Sequence, residues 1–265
     1  MYFYIGFNFI KKVFMIKEIT SVNNPTVKFT NSLKTKKDII ENNVCFVESE
    51  KVVLDLINAG VKLSRLFIEE SKLEKYSNLV SKFENVTYSI TKQVADKLSE
   101  TVTNAGIFAL FELPKNADFD FNSKFLVIDN LQDPSNLGAI VRSALAFGFK
   151  NIVSINSVYP YLPKVIRSSM GYVFNVNFIN LTIEELLTLK NNHNFKLVSA
   201  NLNGVRPEDS ELPDNYGLII GNEGNGVSKQ LQAASDVTVT IPMQNNVESL
   251  NASVSASILM YNLAK

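Results

Sequence analysis

Two periodicities alternate along this chain. Short apolar runs bounded by polar or turn residues read as strands, and segments with apolar residues three and four apart read as helices. Before Pro114 the strand-like runs are "NNVCFVES", "RLFIEE", "NVTYSI" and "GIFALFEL". Between them, "SEKVVLDLINAG" puts Val52, Val53, Leu56 and Ile57 on one helical face and stops at Gly60, and "KQVADKLSET" forms a short helix. After Pro114 come the strands "KFLVIDN", "NIVSIN", "FKLVSAN", "YGLIIGN" and "DVTVTIPM". The helices among them are "SNLGAIVRSALAFG", "TIEELLTLKNN" and the terminal "SLNASVSASILMYNLAK". In the first of these Leu137, Ile140, Val141, Ala144 and Leu145 make the apolar stripe, with Ser135 or Asn136 as the expected cap and Gly148 as the stop. Regular strand–helix alternation predicts an α/β protein with a mainly parallel sheet covered on both faces.

The polar stretch "ELPKNADFDFNSK" separates two differently organised regions. The expected division is a small α/β domain over residues 15–113, a linker over 114–123 and a second domain over 124–265. In residues 1–14, "MYFYIGFNFIKKVF", an aromatic and apolar run precedes Lys11 and Lys12, the reverse of a secretory signal. They are also too short to span a bilayer. They are expected to be an upstream extension or a disordered tail, with Met15 restarting the chain.

Composition narrows the classes. The chain has 265 residues, 46% hydrophobic and 20% charged, in the ordinary globular range. Cys45 is the single cysteine, which excludes a disulfide framework and a cysteine-rich metal site and suits a reducing cytoplasm. His193 is the single histidine, so any histidine-based triad must use it. Net charge is zero, with 16 Lys/Arg against 13 Asp/Glu over residues 1–115 and 10 against 13 over 116–265. That asymmetry is too weak to announce a nucleic-acid binder by itself.

Three stretches carry candidate chemistry. "LIIGNEGNGVSKQL" places Gly221, Gly224 and Gly226 after a strand. The spacing fits neither the dinucleotide fingerprint nor the phosphate-binding P-loop. What remains is a tight turn at a strand's carboxyl end, where open α/β sheets bind ligands and where glycine lets a flat ligand approach the backbone. The alternative is a turn with purely structural glycines, which the cluster taken alone favours. In "NLQDPSNLGAIVRSALAFGF", Asn136 and Arg142 lie off the apolar stripe, within reach of a site above the sheet or as a cap and a solvated cation. In "VTVTIPMQNNVESLNASVSASILMYNL", Glu248, Ser249 and Asn251 crowd the start of a helix. Its small residues, Ala252, Ser253, Ser255, Ala256 and Ser257, suit close backbone approach, and Ser249 or Asn251 is able to cap it.

These stretches, in this order, resemble the three signature motifs of the SpoU (TrmH-like) family of RNA ribose 2′-O-methyltransferases of the SPOUT superfamily. "LPKVIRSSMGYVF" resembles that family's middle segment, and the resemblance spans residues 125–265. More loosely, "ITSVNNPTVKFTNSLKTKK" and "LSETVTNAGIFALFE" resemble the family's L30e-like substrate-binding domain. Here the family's usual arginine after the basic run is missing, and Ser49 stands where it usually has glycine.

The resemblance implies an α/β domain with a deep trefoil knot and S-adenosylmethionine as cofactor, with no metal. It implies main-chain contacts to that cofactor from Gly221, Ile241 and Leu250, and a cofactor site that also includes Asn222, Gly226 and Met243. Arg142 is implied to assist loss of the ribose proton. A guanidinium that is always protonated is physically better suited to stabilising the emerging alkoxide or holding an RNA phosphate. Asn136 is expected to orient Arg142, Glu223 to fix the loop or the arginine, and Ser249 and Asn251 to shape the site. RNA contacts are expected at Lys28, Lys34, Lys36 and Lys37, with a solvated basic loop as the alternative. The family implies a homodimer through the knotted domain. Ribosomal RNA is the expected substrate in the cytoplasm, without a membrane. The competing readings are a transfer-RNA methyltransferase, a knotted RNA- or ribosome-binding protein without turnover, and a nicotinamide-dependent oxidoreductase, which the glycine spacing disfavours.

Overall fold

The computed structural model describes residues 16–115, 119–245 and 247–264, with Leu202 described by its backbone alone. The tail expected over residues 1–14 and the restart at Met15 lie outside the described residues. The chain divides into two units: residues 1–114 with Tyr161–Arg167, and Lys115–Pro160 with Ser168–Lys265.

In the first unit, β1 (Lys17–Ile19) is followed by α1 (Pro25–Ser32), α2 (Lys36–Asn42), β2 (Val44–Val47), α3 (Glu50–Asn58) and β3 (Leu63–Glu69). Then come α4 (Ser77–Lys82), β4 (Thr87–Ile90), α5 (Lys92–Leu98) and β5 (Ile107–Glu112). The sheet order is β1-β4-β3-β5-β2, with β5 antiparallel to both its neighbours. The basic stretch, for which a loop was one expectation, is two helices. Asn24 caps α1 through Thr26 N with Pro25 at the first position, and Thr35 caps α2 through Asp38 N. Asparagine before proline at a helix start is a readable signal, because proline's missing N–H costs nothing there. Burial pushes the Cys45 thiol up to about 12, which keeps it a protonated core residue.

The second unit contains β6 (Phe125–Asp129), α6 (Pro134–Ala146) and β7 (Asn151–Ile155). Next in the chain is α7 (Pro163–Ser168), most of which groups with the first unit. It is followed by β8 (Asn177–Asn180), α8 (Ile183–His193), β9 (Lys196–Val205), β10 (Tyr216–Ile220), α9 (Lys229–Ala234), β11 (Val237–Val239) and α10 (Ala252–Leu263). The strand order is β11-β9-β10-β6-β7-β8, and every pairing is parallel. Every residue of β6, β7 and β10 is buried, the mark of strands covered on both faces. The expected mainly parallel sheet is therefore present. The chain builds outward from β6 to β7 and β8, then returns to place β10 on the other side of β6. That reversal brings the loops after β6 and β10 side by side at the strands' carboxyl ends, where such sheets open a crevice.

Phe119 and Phe121, in the stretch that reads as a linker, join the aromatic core of this unit. Phe121 stacks on Phe195 with ring centroids 5.5 Å apart and meets Phe125 edge-on at 5.5 Å. His193 lies against Phe121 at 5.0 Å. The end of α10 is held by Tyr216, whose hydroxyl donates to Leu263 O at 2.7 Å, and by Lys124, whose Nζ donates to Ala264 O at 3.2 Å. Both satisfy carbonyls that a helix end leaves without partners. Among the described residues no helix is long and apolar enough to cross a membrane.

Candidate functional site

The cap of α6 is Asp133, not Ser135 or Asn136. Its Oδ1 accepts from Ser135 N at 2.5 Å and Asn136 N at 3.2 Å, with Pro134 opening the helix. Asn136 therefore keeps its side chain for longer-range contacts. Its Nδ2 donates to Glu223 Oε1 at 3.0 Å, and its Oδ1 accepts from Asn251 Nδ2 at 3.0 Å. Asn251 Oδ1 in turn caps α10, accepting from Ser253 N at 2.9 Å and Val254 N at 3.4 Å. One relay thus ties the loop after β10, the start of α6 and the start of α10.

Glu223 is the hub of that relay. Besides Asn136, its carboxylate accepts from Asp133 N at 3.2 Å and Gln132 N at 3.5 Å. Partial desolvation pushes this carboxyl up, but the bond from Asn136 and the backbone amides outweigh it and hold it below the usual glutamate range.

The glycine loop is a closed hairpin. Asn222 and Gly226 exchange backbone hydrogen bonds of 2.9 Å in each direction. Asn222 Oδ1 accepts from Gly224 N at 2.9 Å and Asn225 N at 3.1 Å, and its Nδ2 donates to Asn130 O at 2.9 Å. The far end is anchored by the buried Asp129, whose Oδ2 accepts from Ser228 N at 2.7 Å. A Cβ on Gly221 would lie 2.1 Å from Gly226 C and 2.2 Å from Val227 N. Glycine at 221 is therefore required by the loop's own backbone, a structural demand that the ligand-approach reading did not include. Gly226 has φ +67° and open space where a Cβ would point.

A cavity of about 450 Å³ opens against this loop. Gly221, Asn222, Gly226, Ile241, Met243 and Leu250, the six residues expected at a cofactor site, all line it, as do Glu223 and Ser249. Asn136, Arg142 and Asn251 do not line it. Arg142 is exposed on α6 and makes no hydrogen bond or ion pair among the described residues, so Asn136 does not orient it within this chain.

Several lining residues escaped the sequence reading: Ala200 and Asn201 from β9, Gln232 from α9, Thr240, and Ser255 and Leu259 from α10. Pairing of β9 with β11 jumps from Ser199 to Val205 while β11 advances one residue, which throws Ala200 and Asn201 out of regular pairing. In the sequence they close the strand-like run "FKLVSAN", and that position at a strand's expected carboxyl end was the available signal. Gln232 fastens the loop to α9, its Nε2 donating to Val227 O at 2.5 Å and its Oε1 accepting from Asn201 Nδ2 at 3.3 Å.

In the first unit the four lysines expected to meet RNA are exposed, with Lys28 on α1, Lys34 between the helices, and Lys36 and Lys37 on α2. Lys34 pairs with Glu100 at 3.4 Å and Lys37 with Glu41 at 3.9 Å. Exposed pairs of this kind contribute little to stability. Among the described residues no group of three His, Cys, Asp or Glu is placed to hold a metal ion.

Over residues 123–261 the chain matches the SpoU rRNA Methylase family, and over residues 24–109 it matches the MRM3-like substrate binding domain. It is 28% identical over 251 residues to the 23S rRNA (guanosine(2553)-2′-O)-methyltransferase RlmP of Bacillus subtilis, covering 94% of this chain and 99% of the relative. It is 26% identical over 256 residues to the 23S rRNA (adenosine(1067)-2′-O)-methyltransferase of Streptomyces azureus, covering 92% and 95%. Its fold superposes on the crystal structure of an RNA 2′-O ribose methyltransferase with a TM-score of 0.80 at 29% identity, covering 93% of this chain and 97% of that one. It shares its fold with the AdoMet-bound rRNA methyltransferase from Sinorhizobium meliloti, with a TM-score of 0.82 at 23% identity and coverage of 94% and 97%.

Proposed function

Because the chain belongs to the SpoU rRNA methylase family, we propose that it transfers a methyl group from S-adenosylmethionine to a ribose 2′-oxygen of ribosomal RNA. The observation that carries this reading is that one cavity is lined by all six residues expected at the cofactor, which come from two separate loops. Its lining combines apolar residues such as Ile220, Ile241 and Leu259 with polar ones such as Asn222, Glu223 and Ser249, and includes no described lysine or arginine. Such a wall suits an adenosine and a sulfonium and does not suit phosphates. When bound, S-adenosylmethionine supplies the methyl group that the ribose oxygen takes up.

The chain's own residues then have distinct tasks. Glu223, Asn136 and Asn251 hold three loops in register, so that the cavity keeps its shape. Ser249 and Leu250 form the wall beside the start of α10. Arg142, uncommitted among the described residues, holds an RNA phosphate or stabilises negative charge on the ribose oxygen as its proton leaves. Lys28, Lys34, Lys36 and Lys37 contact phosphates and so position the RNA without reading its sequence.

The same reading takes residues 124–265 as a trefoil-knotted domain that pairs with a second copy in the cytoplasm. Supporting the tight threading, the Ser143 and Ser257 hydroxyls lie 2.7 Å apart where α6 meets α10. Supporting the pairing, Val254 and Tyr261 on α10 are 47% and 62% exposed, and Tyr261 lies against Phe147 with ring centroids 5.7 Å apart. Light scattering should report a dimer that Tyr261→Asp dissociates; a monomeric wild type would remove this part of the proposal.

The test of the activity is transfer of labelled methyl from S-adenosylmethionine to unmodified ribosomal RNA, followed by digestion to nucleosides. Label should appear in a 2′-O-methylated nucleoside. Label on a base, or none, would overturn the reading.

A further inference from the structure

We propose that Glu248 reads the positive charge of the methyl donor, so that the cavity holds the sulfonium in preference to the neutral thioether left after transfer. This rests on the cofactor assignment made above and adds a specificity-determining residue to it. Two ionisable side chains line the cavity, Glu223 and Glu248, and both are acidic. No described lysine, arginine or histidine lines it.

The two carboxylates are not equivalent. Glu223 receives hydrogen bonds from Asn136 Nδ2, Asp133 N, Gln132 N and Asn222 Nδ2, at 3.0 to 3.5 Å, so donors from the chain itself already surround its charge. Glu248 is exposed and makes no hydrogen bond or ion pair with any described residue. It precedes Ser249 and Leu250, which line the same wall. An uncompensated carboxylate at a cavity without cations makes the local potential negative, and a ligand of net positive charge is favoured there.

The donor and its product share the adenosine and the amino-acid group and differ in the sulfur. The donor's sulfonium carries a full positive charge. The product's sulfur is neutral, because the S–C bonding pair stays on sulfur when the methyl group goes to the ribose oxygen, whose proton is released to solvent. A residue that senses charge separates the two forms. A residue bonded to the ribose hydroxyls or to the amino group treats them alike.

Calorimetry on the full chain tests this with three probes: S-adenosylmethionine, sinefungin, which carries an amine in place of the methylated sulfonium, and S-adenosylhomocysteine. Glu248→Gln should weaken the two positively charged probes about two- to five-fold, as expected for an exposed charge contact, and leave the third unchanged. Glu248→Lys should weaken the two charged probes further while sparing the third, and about 1 M salt should shrink the difference between wild type and both variants. Unaltered melting temperatures establish that both variants fold. Equal weakening of all three probes, or no weakening of any, overturns the role of Glu248 while leaving the cofactor assignment standing. A wild-type protein that binds none of the three removes the assignment and the inference together.

Discussion

Asn136 and Asn251, 115 residues apart in sequence, are joined by a hydrogen bond of 3.0 Å from Asn251 Nδ2 to Asn136 Oδ1. The other end of each side chain is also committed, to Glu223 and to the first amides of α10 respectively. Two amides thereby couple three loops.

Coupling of this kind is measurable. Asn251→Ala removes a helix cap and should cost about 1 kcal/mol in urea unfolding. Asn136→Ala should cost a similar amount, about 1 kcal/mol, by leaving its partners short of a bond. The double variant should lose less than the sum, by about 0.5 kcal/mol or more. Strict additivity would mean the bond between them contributes nothing.

Glu223 predicts a pH dependence. Its folded carboxyl titrates below its ordinary value of 4.5, so the folded state binds fewer protons than the unfolded state as pH falls through that region. Its stabilisation is complete above pH 4.5 and drains away below it, as the folded group protonates. The stability gap between wild type and Glu223→Gln should therefore narrow from pH 6 toward pH 3. A gap that widens on acidification would reverse the sign assigned to this group.

Arg142 separates chemistry from cofactor binding. Arg142→Ala should lower kcat by roughly 100- to 1,000-fold, the scale for losing a preorganised charge-stabilising donor. Cofactor affinity should hold, since the arginine does not line the cavity. Arg142→Lys keeps the charge but not the planar fork and should fall between the two. Parallel loss of affinity and turnover would place this side chain at the cofactor instead.

The glycines of the loop should respond unequally. Gly221→Ala drives a Cβ into the Gly226–Val227 backbone and should cost about 1–3 kcal/mol, with cofactor affinity falling alongside stability. Gly226→Ala meets no atom and pays only for its left-handed backbone, about 1 kcal/mol. Gly224→Ala should be close to neutral, its nearest contact being Asn222 Oδ1 at 3.6 Å. Thermal melts with and without S-adenosylmethionine would rank the three.

Local patterning carried much of this protein. Continuous apolar runs marked β6, β7 and β10, because strands buried on both faces have no polar side to show. The stripe from Leu137 to Leu145 marked α6, and the motif residues pointed to the cavity wall formed by Gly221, Ile241 and Leu250. Signals that act within a few residues, such as Asn24 before Pro25 or Asp133 before Pro134, were also present in the sequence.

Only the tertiary structure decided which polar groups meet. Asn136 fits the sequence equally well as a cap, an orienter of Arg142 or a bridge. Strand order made it a bridge, by setting the loop after β10 beside the loop after β6. The demand for glycine at 221 likewise comes from a backbone folded back five residues later, and the bonding of Glu223 comes from amides 87 to 91 positions away. Periodicity and propensity act between near neighbours in sequence, whereas hydrogen bonding and steric exclusion act between near neighbours in space. The return of the chain to β6 made these residues neighbours.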